Sequence, residues 1–210
     1  MTIPESEATS TPYPRWVTIL AGRGKEEYFL SLRTPFLICV LMYGASFVMG
    51  YMFSNRVTLG SLRDLLPQLP DLAEVGPLEF TVFLFVNNAI STFMWMLLGF
   101  IFGVGSLFFA SFNGFTLGLI AHSFSQLVSP LLVFLSIAPH GIVELPTTLL
   151  SAAMGVKLGY TLLNRLRGHG SISAELARSL VLYFMRVLPL LFLAASIEAF
   201  ITPVLVKLVG

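Results

Sequence analysis

The sequence predicts an all-α fold, a polytopic transmembrane helix bundle of about five passes, from three observations. Of the 210 residues 56% are hydrophobic and only 11% are charged, whereas globular domains have roughly 45–50% and about 25%. The mean hydropathy is +0.85 over the whole chain. The apolar residues also fall in blocks that are too long for a core helix or a buried strand. An ordinary soluble domain is therefore excluded.

Charge and cysteine content exclude several function classes. Twelve Lys and Arg against eleven Asp and Glu give a net charge of +1, so the basic excess that nucleic-acid binding needs is missing. Cys39 is the single cysteine, which excludes an internal disulfide and a cysteine zinc site. The sequence also contains no Gly-x-Ser-x-Gly motif, phosphate loop or dinucleotide fingerprint. We therefore expect no enzymatic activity, no catalytic residues, no cofactor and no metal.

The first eighty residues divide into four segments. Residues 1–14 are mostly Ser, Thr, Pro and Glu, which predicts a disordered tail. Residues 15–33 mix apolar and charged side chains and are expected to lie along the membrane surface as an interfacial amphipathic segment. The uncharged run 34–54 is the first pass, an anchor rather than a cleaved signal, because it follows a polar lead and precedes no small-residue cleavage site. Residues 55–79 are expected to form a short amphipathic helix and loop on one membrane face.

The block 80–143 contains no Asp, Glu, Lys or Arg, and it is long enough for roughly three passes at about twenty residues each. Where the chain turns stays open between residues 103–106 and residues 111–114. Asn113-Gly114 is a strong turn dipeptide. We therefore favour a long, tilted second pass over 80–110 and a third pass over 113–125.

The fourth pass, 131–163, is too long for one upright helix. Pro139 removes a backbone donor and Gly141 adds a flexible residue at nearly the same place, so we predict a break at 138–141. The fragment 131–138 either spans or re-enters, and re-entry requires protein or water to cover the freed backbone groups.

The fifth pass is predicted at 179–207, and residues 34–210 form a single transmembrane domain. Arg165, Arg167 and Arg178 lie between the last two passes, and Lys and Arg stay on the cytoplasmic side. With five passes this places the N-terminus in the cytoplasm and the C-terminus outside. We expect a multi-pass protein of the cell membrane.

Three ionisable residues at membrane depth are candidates for a functional site, because burying them in a bilayer is costly. His140 and Glu144 are four residues apart, on one helical face. Counting along the passes places Glu198 at a similar depth, toward the outer leaflet. These residues either line a polar pocket or hydrogen-bond across helices and to backbone freed by Pro139 and Pro203, and we favour the second interpretation. A metal site would need a third ligand and lacks the HExxH arrangement.

Other polar and small residues predict helix packing. Asn87, Asn88 and Asn113 are expected to make interhelical hydrogen bonds of modest strength. Three GxxxG pairs allow close backbone approach, and we expect internal packing rather than a homodimer face. The pairs are Gly99/Gly103, Gly114/Gly118 and Gly155/Gly159.

Several of these segments resemble the stage II sporulation protein M family. The resemblance is carried by Pro139–Pro146 (PHGIVELP), Gly155–Gly159 (GVKLG) and Ile197–Pro203 (IEAFITP). Asn87-Asn88 and Asn113-Gly114 stand where that family also tends to have polar residues. The likeness covers roughly residues 80 to 205.

The resemblance implies a membrane protein of about five passes without an enzymatic activity of its own. In spore-forming bacteria the family's namesake belongs to a complex with peptidoglycan-degrading partners and is thought to localise them during engulfment. We carry over the architecture and the motif positions, not the process. The positions that the resemblance selects are Pro139, His140, Gly141, Glu144, Pro146, Glu198 and Pro203.

Three hypotheses about function follow. The first is a non-enzymatic scaffold that localises or assembles partner proteins at the membrane. The second is a transporter or channel with a polar intramembrane pocket at His140, Glu144 and Glu198. The third, a membrane-embedded metalloenzyme, predicts stoichiometric bound metal. The expected partners are the lipid bilayer and other membrane or envelope proteins but no nucleic acid, and homo-oligomerisation is left open.

Overall fold

A computed structural model describes residues 25–54 and 76–209, and this part of the chain is helical almost throughout, with no strand. The predictions for the tail 1–14, for most of the segment 15–33 and for most of the loop 55–79 lie outside the described residues. In chain order the helices are α1 (Lys25–Ser31), α2 (Arg33–Phe53), α3 (Pro77–Leu97), α4 (Val104–Ser125), α5 (Pro130–Leu166), α6 (Ile172–Leu182), α7 (Leu188–Phe200) and α8 (Thr202–Val209).

Five stretches in the described residues are long and apolar enough to cross a membrane. The shortest has 21 residues, about the thickness of the hydrocarbon core at 1.5 Å per residue. Their outward faces are apolar, as shown by Leu41, Met52 and Ile142, each more than 70% exposed. The five stretches are Arg33–Phe53, Pro77–Phe100, Val104–Ser125, Leu131–Leu166 and Ile172–Leu208. The predicted all-α bundle of about five passes is confirmed.

The second pass ends about ten residues earlier than predicted. A 3₁₀ turn, Leu98–Phe100, closes α3, and the chain reverses at Phe102 and Gly103, whose φ angles are +49° and +78°. Such angles suit glycine because it has no Cβ to clash. The boundaries 80–110 and 113–125 are therefore wrong, and the turn lies near the alternative, 103–106. Gly114, in the favoured turn dipeptide, is instead buried inside α4.

The fourth pass is one continuous helix, so the break predicted at 138–141 is absent. α5 contains 37 residues, with Pro139 and Pro146 inside it. Proline removes one backbone hydrogen bond, and packing along the helix offsets that loss, because α5 contacts α2, α3, α4, α7 and α8. α5 is thus the central helix of the bundle. Its N-terminus is capped by Ser129, whose Oγ accepts from the Leu132 amide at 3.3 Å.

The fifth pass begins at Ile172, earlier than predicted, and is not uniform. Tyr183–Val187 form a π-helical turn between α6 and α7. Pro189 follows this turn, and it has no N–H for the carbonyl four residues back, so a locally wider turn is a natural accommodation. A further irregularity at Ile201 separates α7 from α8.

Glycine backbones lie against neighbouring helices at several crossings. A Cβ on Gly99 would collide with the carbonyl oxygen of Gly155, and one on Gly118 would collide with that of Phe47. A Cβ on Gly159 would meet the backbone nitrogen of Gly103. These contacts bring α3 and α5, and α2 and α4, close together, as small residues do in membrane bundles.

Candidate functional site

Two ionisable side chains from different helices meet inside the bundle. His140 lies in α5 and Glu198 in α7, and the imidazole Nδ1 contacts the carboxylate Oε2. Packing of α5 against α7 makes this contact. The pair therefore links the fourth and fifth passes.

Neighbouring helices supply two more polar groups. The Thr202 hydroxyl, at the start of α8, donates to Glu198 Oε2 at 2.9 Å. The Asn88 side chain, on α3, lies beside the Glu144 carboxyl on α5. Glu144 is also close enough to His140 and Glu198 to interact with them electrostatically. We call these five residues the His140 cluster. It joins α3, α5, α7 and α8.

The His140 cluster is partly accessible. The side chains of His140 and Glu198 are 21% and 26% exposed. Glu144 and Asn88 are half-buried. The polar atoms are therefore directed mainly at one another, while one edge of the pair reaches the surface of the bundle. No three His, Cys, Asp or Glu side chains among residues 25–54 and 76–209 are arranged to hold a metal ion.

The remaining predicted site residues do not join the cluster through side-chain bonds. Gly141 is half-buried and has room around it, because an added Cβ would meet only Ile137 Cγ2, at 3.7 Å. Pro146 and Pro203 are exposed. Asn113 is half-buried within α4, and Asn87 is exposed on α3. Thr202 was missed as a site residue, although its spacing of four from Glu198 places the two on one helical face.

A second polar cluster joins α1 to the fourth and fifth passes. Glu175 is 5% exposed, and its carboxylate lies 3.7 Å from Lys157 Nζ and 3.9 Å from Arg178. The Lys157 ammonium also donates to Ser31 Oγ and sits 4.7 Å from the centre of the Tyr28 ring, a cation–π distance. Buried Glu175 thus has cationic neighbours on two elements.

Tyr28 completes this second group, which we call the Tyr28 cluster and define as Tyr28, Ser31, Lys157, Glu175, Arg178 and Ser179. The Tyr28 hydroxyl and Ser179 Oγ are 2.8 Å apart. Burial raises the pKa of the Tyr28 phenol well above its ordinary value of about 10. The described end of the predicted interfacial segment is therefore packed on the bundle at Tyr28 and Leu32, while Phe29 stays exposed.

Sequence reasoning did not select the Tyr28 cluster. Glu175 and Arg178 are three apart on a helix, which is a detectable pairing, but Lys157 and Tyr28 reach them only through tertiary packing. No local pattern in the sequence connects residues separated by 151 positions, as Tyr28 and Ser179 are.

Comparison with known proteins agrees with this architecture. The family model described as stage II sporulation protein M matches residues 38–203. The chain belongs to this family. The match includes all of the His140 cluster and every predicted pass except the beginning of the first and the end of the last, and it confirms the resemblance found in the sequence.

The chain is also similar to an uncharacterized protein of Methanocaldococcus jannaschii, with 27% identity over 176 residues that cover 82% of this chain and 96% of that protein. No solved structure matches the chain. Family membership, together with five apolar helices of spanning length, makes this chain a membrane protein.

Proposed function

We propose that this family member is a non-enzymatic scaffold that localises or assembles other membrane or envelope proteins at the membrane. One observation carries the proposal: the three ionisable residues of the His140 cluster interact with one another and with neighbouring polar side chains. Glu198 contacts His140 and Thr202, and Glu144 contacts Asn88. Polar side chains that contact one another across helices hold the helices of a membrane bundle in place. A bundle held in this way can present a binding surface to other proteins.

The proposal includes an orientation. Five spans in the described residues would place the two ends of the chain on opposite sides of the membrane. Arg165, Arg167 and Arg178 lie beside the connection between α5 and α6, and short loops rich in Lys and Arg are cytoplasmic. The contact of Lys157 with Ser31 brings α1 to the same end of the bundle. We infer a cytoplasmic N-terminus and an outer C-terminus.

The test compares Glu144→Gln and Glu198→Gln with Glu79→Gln, an exposed carboxylate at the start of α3. Thermal unfolding in detergent is measured for each purified variant, and proton flux is measured in proteoliposomes. A scaffold predicts a lower unfolding temperature for the first two variants, an unchanged one for Glu79→Gln, and no flux through wild type. Partner capture is then measured by crosslinking in native membranes, where it should fall with the folded yield.

A second candidate function is a proton or ion transporter, which is favoured by the remaining exposure of His140 and Glu198. Partly accessible ionisable groups at membrane depth are typical of transport pathways. This candidate predicts a pH-dependent flux that Glu144→Gln eliminates while the unfolding temperature stays at the wild-type value. That result would overturn the scaffold proposal.

A further inference from the structure

Asn87 is a polar residue near the middle of a membrane span, and its side chain faces outward from the bundle. It lies ten residues after Pro77 in the span Pro77–Phe100, about 15 Å along the helix. Its side chain is exposed, and it makes no hydrogen bond within the part of the chain that the structure describes. An amide that faces hydrocarbon without a partner is costly.

The neighbours of Asn87 form a helix-packing pattern. Phe83, Asn87, Ile90 and Met94 follow one another at spacings of four, three and four residues, which is the seam spacing of paired helices. The three apolar members are 37%, 59% and 47% exposed. We call these four residues the Asn87 seam. A single polar residue in such a seam specifies the register and the oligomeric state of the paired helices.

We propose that the Asn87 seam is the contact surface between two copies of this chain, with Asn87 of each copy bonded to its counterpart. The chemistry of the Asn87 amide favours a second copy of the chain as the binding partner. It carries a donor and an acceptor, so it is self-complementary across a two-fold axis, where residue i of one subunit can meet residue i of the other. Two identical hydrogen bonds then satisfy both amides. The proposal is independent of the scaffold function, because it requires no other protein.

The adjacent asparagine supplies a matched control. The Asn88 side chain lies beside Glu144 inside the bundle, whereas Asn87, one position earlier on the same helix, faces outward. Asn88→Leu should therefore lower the stability of the monomer, while Asn87→Leu should weaken only self-association. The two variants have the same composition change at neighbouring sites.

The first experiment measures dimerisation of the full chain in lipid bilayers by energy transfer between labelled copies across a range of protein-to-lipid ratios. We expect wild type to dimerise and Asn87→Leu to dimerise about tenfold more weakly, because two hydrogen bonds of modest strength are lost. Thermal unfolding in detergent confirms that the variant is folded. Wild type that stays monomeric throughout, or Asn87→Leu that dimerises as tightly as wild type, would overturn the proposal.

The second experiment locates the interface. In a Cys39→Ala background, Ile90→Cys should form a disulfide between two copies on mild oxidation. Val82→Cys is the control, because Val82 is 51% exposed but lies about 140° around the helix from Asn87. Crosslinking at position 82 in place of position 90 would assign the contact to another face and contradict the Asn87 seam.

Discussion

The Tyr28 hydroxyl and Ser179 Oγ lie 2.8 Å apart, joining α1 to the start of the fifth pass across 151 positions of the sequence. Both side chains are buried. A buried hydroxyl that lost its partner would have no water to replace it. The short helix before the first span is therefore held by a specific bond in addition to its apolar contacts.

Tyr28→Phe should lower the free energy of unfolding by about 1 kcal/mol, because it leaves the Ser179 hydroxyl without this partner. Denaturant unfolding in detergent measures the effect. Tyr160→Phe is the control, since Tyr160 is 63% exposed and should change stability little. A double-mutant cycle with Ser179→Ala then isolates the pair, and a coupling near zero would show that the bond contributes nothing.

Stability should fall at alkaline pH, partly through Tyr28. Burial raises its pKa in the folded state, so above about pH 10 the unfolded chain releases this proton while the folded chain retains it. The stabilisation is complete below the unfolded pKa and declines as the pH rises above it. Unfolding measured between about pH 8 and 11 should show a steeper decline for wild type than for Tyr28→Phe. Equal slopes would contradict the role assigned to burial.

Gly155→Ala should destabilise the bundle by about 2 kcal/mol or more, because an added Cβ would collide with Ser106 Oγ and lie 2.8 Å from the Trp95 carbonyl oxygen. Gly44→Ala is the matched control, because nothing lies within 4 Å of its added Cβ. Alanine also has the higher helix propensity, so this control should be neutral or slightly stabilising. Thermal unfolding of both variants separates the two effects. Similar unfolding temperatures would show that the bundle does not need close approach at Gly155.

Pro139→Ala should be neutral or should stabilise the chain by up to about 2 kcal/mol, because alanine restores the missing N–H inside a continuous helix. Its amide can then bond to the Leu135 carbonyl, four residues back. Calorimetry in detergent gives the unfolding temperature. If the chain needed a break at this position, the same substitution would lower that temperature and the yield of folded protein.

The sequence determines the membrane architecture because hydropathy is a local property. The long apolar blocks predict about five passes, and residues 25–54 and 76–209 contain five helices long and apolar enough to span a membrane. Counting residues along the passes also predicts a similar depth for Glu144 and Glu198, and in the structure Glu198 contacts His140, one helical turn from Glu144. Both inferences use only distances along the chain.

Other features depend on which helices become neighbours. The dipeptide Asn113-Gly114 predicts a turn from local sequence, but Gly114 is buried inside α4 against the Tyr43 carbonyl. Pro139 reads locally as a break, but contacts along α5 keep the helix continuous. Tertiary packing decided these points, because a small or helix-breaking residue has a local cost that a neighbouring helix can offset.

The same reason separates Asn87 from Asn88. The two are adjacent and chemically identical, and nothing in the sequence distinguishes them. Only the position of α5 beside α3 gives Asn88 the Glu144 carboxyl as a partner and leaves Asn87 on the outer face. Residue chemistry sets which groups need a partner, whereas the packing of the helices decides which of them find one within the chain.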